Sequence, residues 1–203
     1  MITIASLLWD KNKHSAAFSR CYDETWVTKL YNGFARNLTT PWRFVLFTDR
    51  QRDLPAEIQQ EMMKTQEPSY AACIEPYRFG VPMILVGLDT VVVGPVDHLV
   101  DYCLSEKIIA LPRDPNRPER ACNGVALIPA GQQHVYRNWH GENDMDWMRK
   151  QEHVFIDDLF PGQVLSYKCH VKKNGLGDAR IVYFHGYEKP HEVEAPWIAQ
   201  NWR

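Results

Sequence analysis

From residue 83 to residue 93 the chain reads Met83-Ile84-Leu85-Val86-Gly87-Leu88-Asp89-Thr90-Val91-Val92-Val93, an apolar run with one carboxylate inside it. A carboxylate in such surroundings is costly unless it is paired or holds a metal, so Asp89 constrains the fold more than any other residue. Pro82, Gly87 and Asp89 break the run far short of a membrane span. It reads as a short strand over residues 83–86, a turn at Gly87-Leu88-Asp89-Thr90, and extended chain over 91–93 before Gly94-Pro95. Asp89 therefore stands at a strand end, where it either caps its own turn or serves a ligand.

The flanking sequence supplies the rest of an α/β pattern. Residues 2–8 are a nearly continuous apolar run that stops at Trp9-Asp10, as a buried parallel strand does. Over residues 22–36, Trp26, Val27, Leu30, Tyr31, Phe34 and Ala35 recur at helical spacing, with Asp23 and Glu24 at the start and Arg36 near the end. Residues 43–47 then alternate into Thr48-Asp49. Strand, helix and strand in this order open a doubly wound α/β domain, a mixed but mostly parallel sheet flanked by helices, and one such domain is expected over residues 1–203. Further helices are expected at 55–64, 70–79, 96–104, 145–151 and 155–159. Strands are expected at 108–111, 124–129 and 181–184, with extended chain at 164–167.

Charge narrows the function classes. The net charge is -2, and the one basic cluster, from Arg113 to Arg120, also holds Asp114 and Glu119 together with prolines. That cluster reads as a rigid solvated loop, and no Lys/Arg stripe suits a nucleic acid. The five cysteines include no Cys-x-x-Cys pair, against a disulfide framework or zinc knuckle. The N-terminus has no basic region and no small-residue cleavage site, so a cytoplasmic protein without a transmembrane segment is expected.

In an open α/β sheet, ligands bind beyond the carboxyl ends of the strands. Asp10, Asp49, Asp89, Asn123 and His185 all stand at such positions in this reading. The stretch Leu88-Asp89-Thr90-Val91-Val92-Val93-Gly94-Pro95 resembles the strand end of GT-A glycosyltransferases, especially bacterial and phage relatives of glycosyltransferase family 8, whose pattern is Asp-Leu-Asp-Thr-Val-Val-Val-Gly. Residues 2–9 resemble the family's first nucleotide-binding strand. Lys29-Leu30-Tyr31-Asn32-Gly33 and Phe44-Val45-Leu46-Phe47-Thr48-Asp49 resemble its second βα unit. Asn123-Gly124-Val125-Ala126-Leu127-Ile128-Pro129 is similar to its Asn-x-Gly strand, with Asn and Gly adjacent here. Phe184-His185-Gly186-Tyr187-Glu188-Lys189-Pro190 is similar to its closing His-x-Gly-x-x-Lys-Pro region, shifted by one residue.

The resemblance implies a transferase that moves a sugar, with retention, from a nucleotide-sugar donor, a UDP-sugar foremost, to a carbohydrate acceptor. It assigns Asp89 and His185 to a divalent cation. A carboxylate with an imidazole suits Mn²⁺ better than Mg²⁺. It assigns Lys189 to the diphosphate, and Trp9, Asp10, Thr48, Asp49, Asn123 and Gly186 to the donor. Asp157 and Asp158, next to an expected helix, are the candidates for the sugar and its chemistry, because the family's Gly-Asp-Gln turn is replaced near there by Arg149-Lys150-Gln151-Glu152. The first Asp of the Asp-x-Asp motif falls on Gly87. With the motif half present, a catalytically silent nucleotide-sugar or glycan-binding module is the competing expectation, and a hydrolase would use the same site.

Overall fold

The computed structural model describes all 203 residues. Its strands are β1 (Ile2–Leu8), β2 (Trp42–Thr48), β3 (Ile58–Met62), β4 (Met83–Val86), β5 (Thr90–Val92), β6 (Ile109–Leu111), β7 (Arg113–Asp114), β8 (Arg117–Ala121), β9 (Val125–Ile128), β10 (His153–Phe155), β11 (Val164–Ser166) and β12 (Ile181–Tyr183). The main sheet has the order β10-β6-β9-β4-β1-β2-β3, and β9 alone runs against the others. A smaller sheet, β11-β12-β5, grows out of the turn that follows β4. The expected α/β architecture with a mainly parallel sheet is the observed one.

Strand alternation sorts side chains into two cores. Ile2, Ile4, Phe44, Leu46, Ile84 and Val86 face one way, onto α1 (Glu24–Asn37), α2 (Asp97–Ser105) and the small sheet. Ala5, Val45, Phe47, Met83 and Leu85 face the other, under a ten-residue 3-10 helix at Tyr70–Phe79, α3 (Gln133–Arg137) and α4 (Asp144–Met148). Asp23 caps α1 by accepting the Thr25 amide at 2.9 Å, and its apolar stripe of Trp26, Val27, Leu30 and Phe34 is buried. No helix is long and apolar enough to cross a membrane.

Two local expectations are corrected. Residues 55–64 form no helix: Ile58–Met62 is the edge strand β3, paired in parallel with β2 from Phe44↔Ile58 to Thr48↔Met62. The Gln60 side chain clamps the Arg52 backbone at both its N–H and its C=O, and Glu75 receives the amides of Lys64 and Thr65, so pairing overrides the helical spacing of Ile58 and Met62. The expected loop at residues 113–120 is mostly the hairpin of β7 and β8. Asn116 donates to Asp114 Oδ1 at 3.0 Å in its turn. Helix α5 (Ile156–Leu159) follows directly on β10.

The carboxyl ends of β1 and β2 are locked by one arginine. Arg52, its side chain only 2% exposed, donates to Thr48 Oγ1 at 2.6 Å, Asp49 at 2.7 Å, Glu24 at 2.9 Å and Asp10 at 3.1 Å. Arg50 adds a 2.7 Å bond to Asp10 on the solvent side. The Arg50 hydrogen bond holds the Asp10 carboxyl below its usual range despite opposing burial, with Arg52 adding to it. Burial pushes Glu24 upward, but a backbone N–H and Arg52 outweigh it and lower its value. Because both folded values are depressed, this stabilisation is present above the unfolded values near pH 4 and is lost as pH falls through the folded ones. Arg52→Met is expected to cost about 2 kcal/mol at neutral pH. Urea unfolding at pH 7 and pH 3 checks this: the deficit shrinks at pH 3, and an equal deficit at both pH values contradicts the network.

Candidate functional site

A cavity of about 450 Å³ opens where the carboxyl ends of β1 and β4 meet the amino end of the reversed strand β9. Its floor comes from three turns. Gly87-Leu88-Asp89 leaves β4, Asn123-Gly124 enters β9, and His185-Gly186 leaves β12. Backbone bonds hold these turns together: Gly87 N–H donates to Gly124 C=O at 3.3 Å and Phe184 N–H to Asp89 C=O at 3.3 Å. Glycine lets the chain pass close to the Tyr183 ring at Gly124, where a Cβ would lie 3.0 Å from it, and suits Gly186, whose φ is 64°. The wall is aromatic. Phe18 stacks near Tyr70 with ring centroids 6.4 Å apart, Trp9 meets Tyr70 edge-on at 6.1 Å, and Tyr22 lies below.

Asp89 is paired. Its Oδ2 accepts the Tyr22 hydroxyl at 2.8 Å and the Lys189 ammonium, whose side chain is 3% exposed. This meets the constraint that its apolar setting imposes, through a partner 100 residues away. Lys189 Nζ also stands 5.2 Å from the ring centroids of both Phe18 and Tyr22. Burial and the Asp89 charge hold the Tyr22 hydroxyl protonated as a donor.

His185 Nε2 meets Ser166 Oγ at 2.9 Å, and Ser166 Oγ itself accepts the Cys169 amide at 3.3 Å. Burial lowers the His185 pKa, and the charge of Lys168 lowers it further, so the imidazole is neutral at pH 7. The structure thus brings Trp9, Asp89, Asn123, His185, Gly186 and Lys189 to one cavity.

Other candidates lie elsewhere. Asp10, Thr48 and Asp49 do not line the cavity, because Arg52 takes all three. Asp157 and Asp158 are outside it as well: Asp157 accepts the Arg113 amide at 2.8 Å and Asp158 its guanidinium at 2.6 Å, which fastens hairpin β7/β8 to α5. Besides Asp89, two carboxylates line the cavity: Asp114, paired with Arg149 at 2.9 Å, and Asp144, the first residue of α4, 7% exposed and receiving the Asn123 side-chain amide at 2.6 Å. Burial raises its pKa, and the Asn123 hydrogen bond only partly opposes this. The one sequence signal was Asn143-Asp144, a helix cap followed by an acid, which is common on solvated helices.

The divalent cation implied by the resemblance meets a poor donor set. No group of three or more His, Cys, Asp or Glu side chains is placed to hold a metal ion. Of the two expected ligands, Asp89 carries the Lys189 ammonium and His185 Nε2 is engaged by Ser166. At Gly87, where a second carboxylate would stand, a Cβ would come within 2.9 Å of Asp89 Oδ1. The residues present do not fit a protein-held metal.

No protein-family model and no curated protein sequence matches the chain. Solved structures do. An active-site mutant of LgtC superposes with a TM-score of 0.61 at 11% identity, over 98% of this chain and 93% of that one. The glycosyltransferase GlyE of Streptococcus pneumoniae TIGR4 gives 0.59 at 14% identity, over 93% of this chain and 55% of that one. The bifunctional glycosyltransferase WbbM gives 0.59 at 11% identity, over 98% and 50%. The chain spans about half the length of GlyE and WbbM. LgtC is a galactosyltransferase whose structure has also been determined with donor and acceptor sugar analogues. At these identities the likeness speaks to architecture, and the architecture is plain: this chain has the fold of the GT-A-like glycosyltransferases.

Proposed function

We propose that the chain is a glycosyltransferase that binds a nucleotide-sugar donor in the strand-end cavity and passes its glycosyl group to a carbohydrate acceptor. The observation that carries this reading is the pairing of unlike buried groups in one cavity of a GT-A sheet: the Lys189 ammonium and, held separately by Asn123, the Asp144 carboxylate. A diphosphate leaving group needs the first, because charge grows on its oxygens as the glycosidic bond breaks and a fixed cation in a water-poor site offsets it. A sugar needs the second, because its hydroxyls are donors that a buried carboxylate orients. The aromatic wall of Trp9, Phe18 and Tyr70 offers faces for the base. The glycine turns at Gly87 and Gly186 let phosphates approach backbone closely. The resemblance to family 8 adds a UDP-sugar as donor and retention at the anomeric carbon to the proposal.

Two outcomes are expected. In a thermal-shift series with UDP, GDP, ADP, CDP and UDP-sugars, UDP raises the unfolding midpoint, since a ligand of the native state stabilises by mass action. No shift with any diphosphate contradicts the reading, and binding without turnover of any sugar nucleotide favours the silent module. Asp144→Asn is expected to lower turnover about 10²-fold through lost sugar positioning while leaving UDP affinity nearly unchanged. Asp144 orients sugar hydroxyls most strongly as a carboxylate, and burial raises its pKa. The acid limb of the turnover profile therefore lies above the ordinary Asp value of about 4. An acid limb at or below that value, or an Asp144→Asn enzyme of full activity, removes Asp144 from this role.

A further inference from the structure

The strand-end Asp89 carries a lysine where a divalent cation was expected. Lys189 Nζ contacts Asp89 Oδ2, which also accepts from Tyr22, so a metal ion could reach this carboxylate only by displacing a buried ammonium. The same ammonium lines the cavity with Gly186 and, held by Asp89, Phe18 and Tyr22, has little rotamer freedom left to lose on binding. A second cation stands beside it. Lys168 is exposed, and its Nζ lies 3.8 Å from where a Cβ on Gly186 would be. Its neighbours Lys172 and Lys189 are tied to Glu188 and Asp89, whereas Lys168 has no carboxylate partner. Lys168 does not itself line the cavity, but an unpaired, exposed lysine against Gly186, which does, is placed to reach an anion bound at that turn.

Building on the nucleotide-sugar reading, we propose that this site binds its diphosphate without a metal ion, the Lys189 ammonium occupying the cation position on Asp89 and Lys168 supplying a second positive charge. Asp89 is then a positioning residue for Lys189 and not a metal ligand. The two roles give opposite signs for the same substitution. Asp89→Asn keeps the shape and an acceptor for Tyr22 but removes the charge that competes with phosphate for Lys189. A metal site would lose its only charged ligand.

The test is calorimetric titration of UDP, GDP, ADP and CDP into the wild-type protein, in EDTA and again in Mn²⁺. The tightest diphosphate is expected to bind in EDTA within roughly threefold of its affinity in Mn²⁺. Any larger tightening by Mn²⁺ overturns the metal-free site while leaving the nucleotide reading intact. Binding of none of the four in either condition overturns both. In EDTA, Asp89→Asn is expected to bind at least as tightly as wild type, and weaker binding by a variant whose circular dichroism is native counts against the proposal. Lys168→Ala changes an exposed side chain and leaves the fold alone. It is expected to weaken binding about fivefold and to flatten the salt dependence, and unchanged affinity removes Lys168 from the site.

Discussion

The ion pair between Asp89 and Lys189 joins the two parts of the chain on which the site depends. Asp89 belongs to the turn between β4, in the main sheet, and β5, in the small one. Lys189 belongs to the segment that follows β12, the strand lying antiparallel to β5. Tyr22, just ahead of α1, donates to the same carboxylate oxygen. One buried charge pair therefore gathers the turn after β4, the approach to α1 and the loop after β12 around a single cavity. In the ligand-free protein, removing either charge leaves the other buried without its counter-charge, which lowers stability even where the fold survives. Glu188 at φ 64° and Gly186 at φ 64° show how sharply the backbone bends to deliver Lys189.

Strand-end chemistry divides into two neighbourhoods with different uses. At β1 and β2, Arg52 neutralises Asp10, Asp49 and Glu24 and is itself buried, so those polar residues hold the sheet edge to the start of α1. At β4, β9 and β12, the polar groups keep capacity toward an open space. Asp144 has one side-chain partner in Asn123, Lys189 lines the cavity with its ammonium on Asp89, and Lys168, beside the lining Gly186, has no carboxylate. Position at a strand end was thus neither sufficient for a role in the cavity, as Asp10 and Asp49 show, nor necessary, as Asp144 at the start of α4 shows. What separates the two groups is whether a nearby arginine consumes them.

This division explains what could be read from sequence. β1, α1, β2, β4 and β12 follow from apolar runs and helical spacing, because burial against the sheet imposes those periods directly. Residues 55–64 misled because an edge strand with Gln59, Gln60 and Glu61 has no buried alternation to display, and its pairing with β2 is a non-local fact. Trp9, Asp89, Asn123, His185, Gly186 and Lys189, singled out in sequence, line one cavity. Asp144 was hidden, since as the first residue of α4 it looks like any acid at a helix start until Asn123 folds onto it. The partnership of Asp89 with Lys189 was equally hidden. Each residue carried a plausible separate role, and only the antiparallel pairing of β5 with β12 brings them together.

The most direct test is a crystal structure of the protein grown with UDP and Mn²⁺ together, with anomalous data at the manganese edge. The account predicts the diphosphate against Lys189, His185 and Gly186, the base along the wall of Trp9, Phe18 and Tyr70, and Lys189 still paired to Asp89 with no anomalous peak between Asp89 and the phosphates. A manganese ion on Asp89 with Lys189 turned away, or UDP bound at the opposite edge of the sheet, would contradict it.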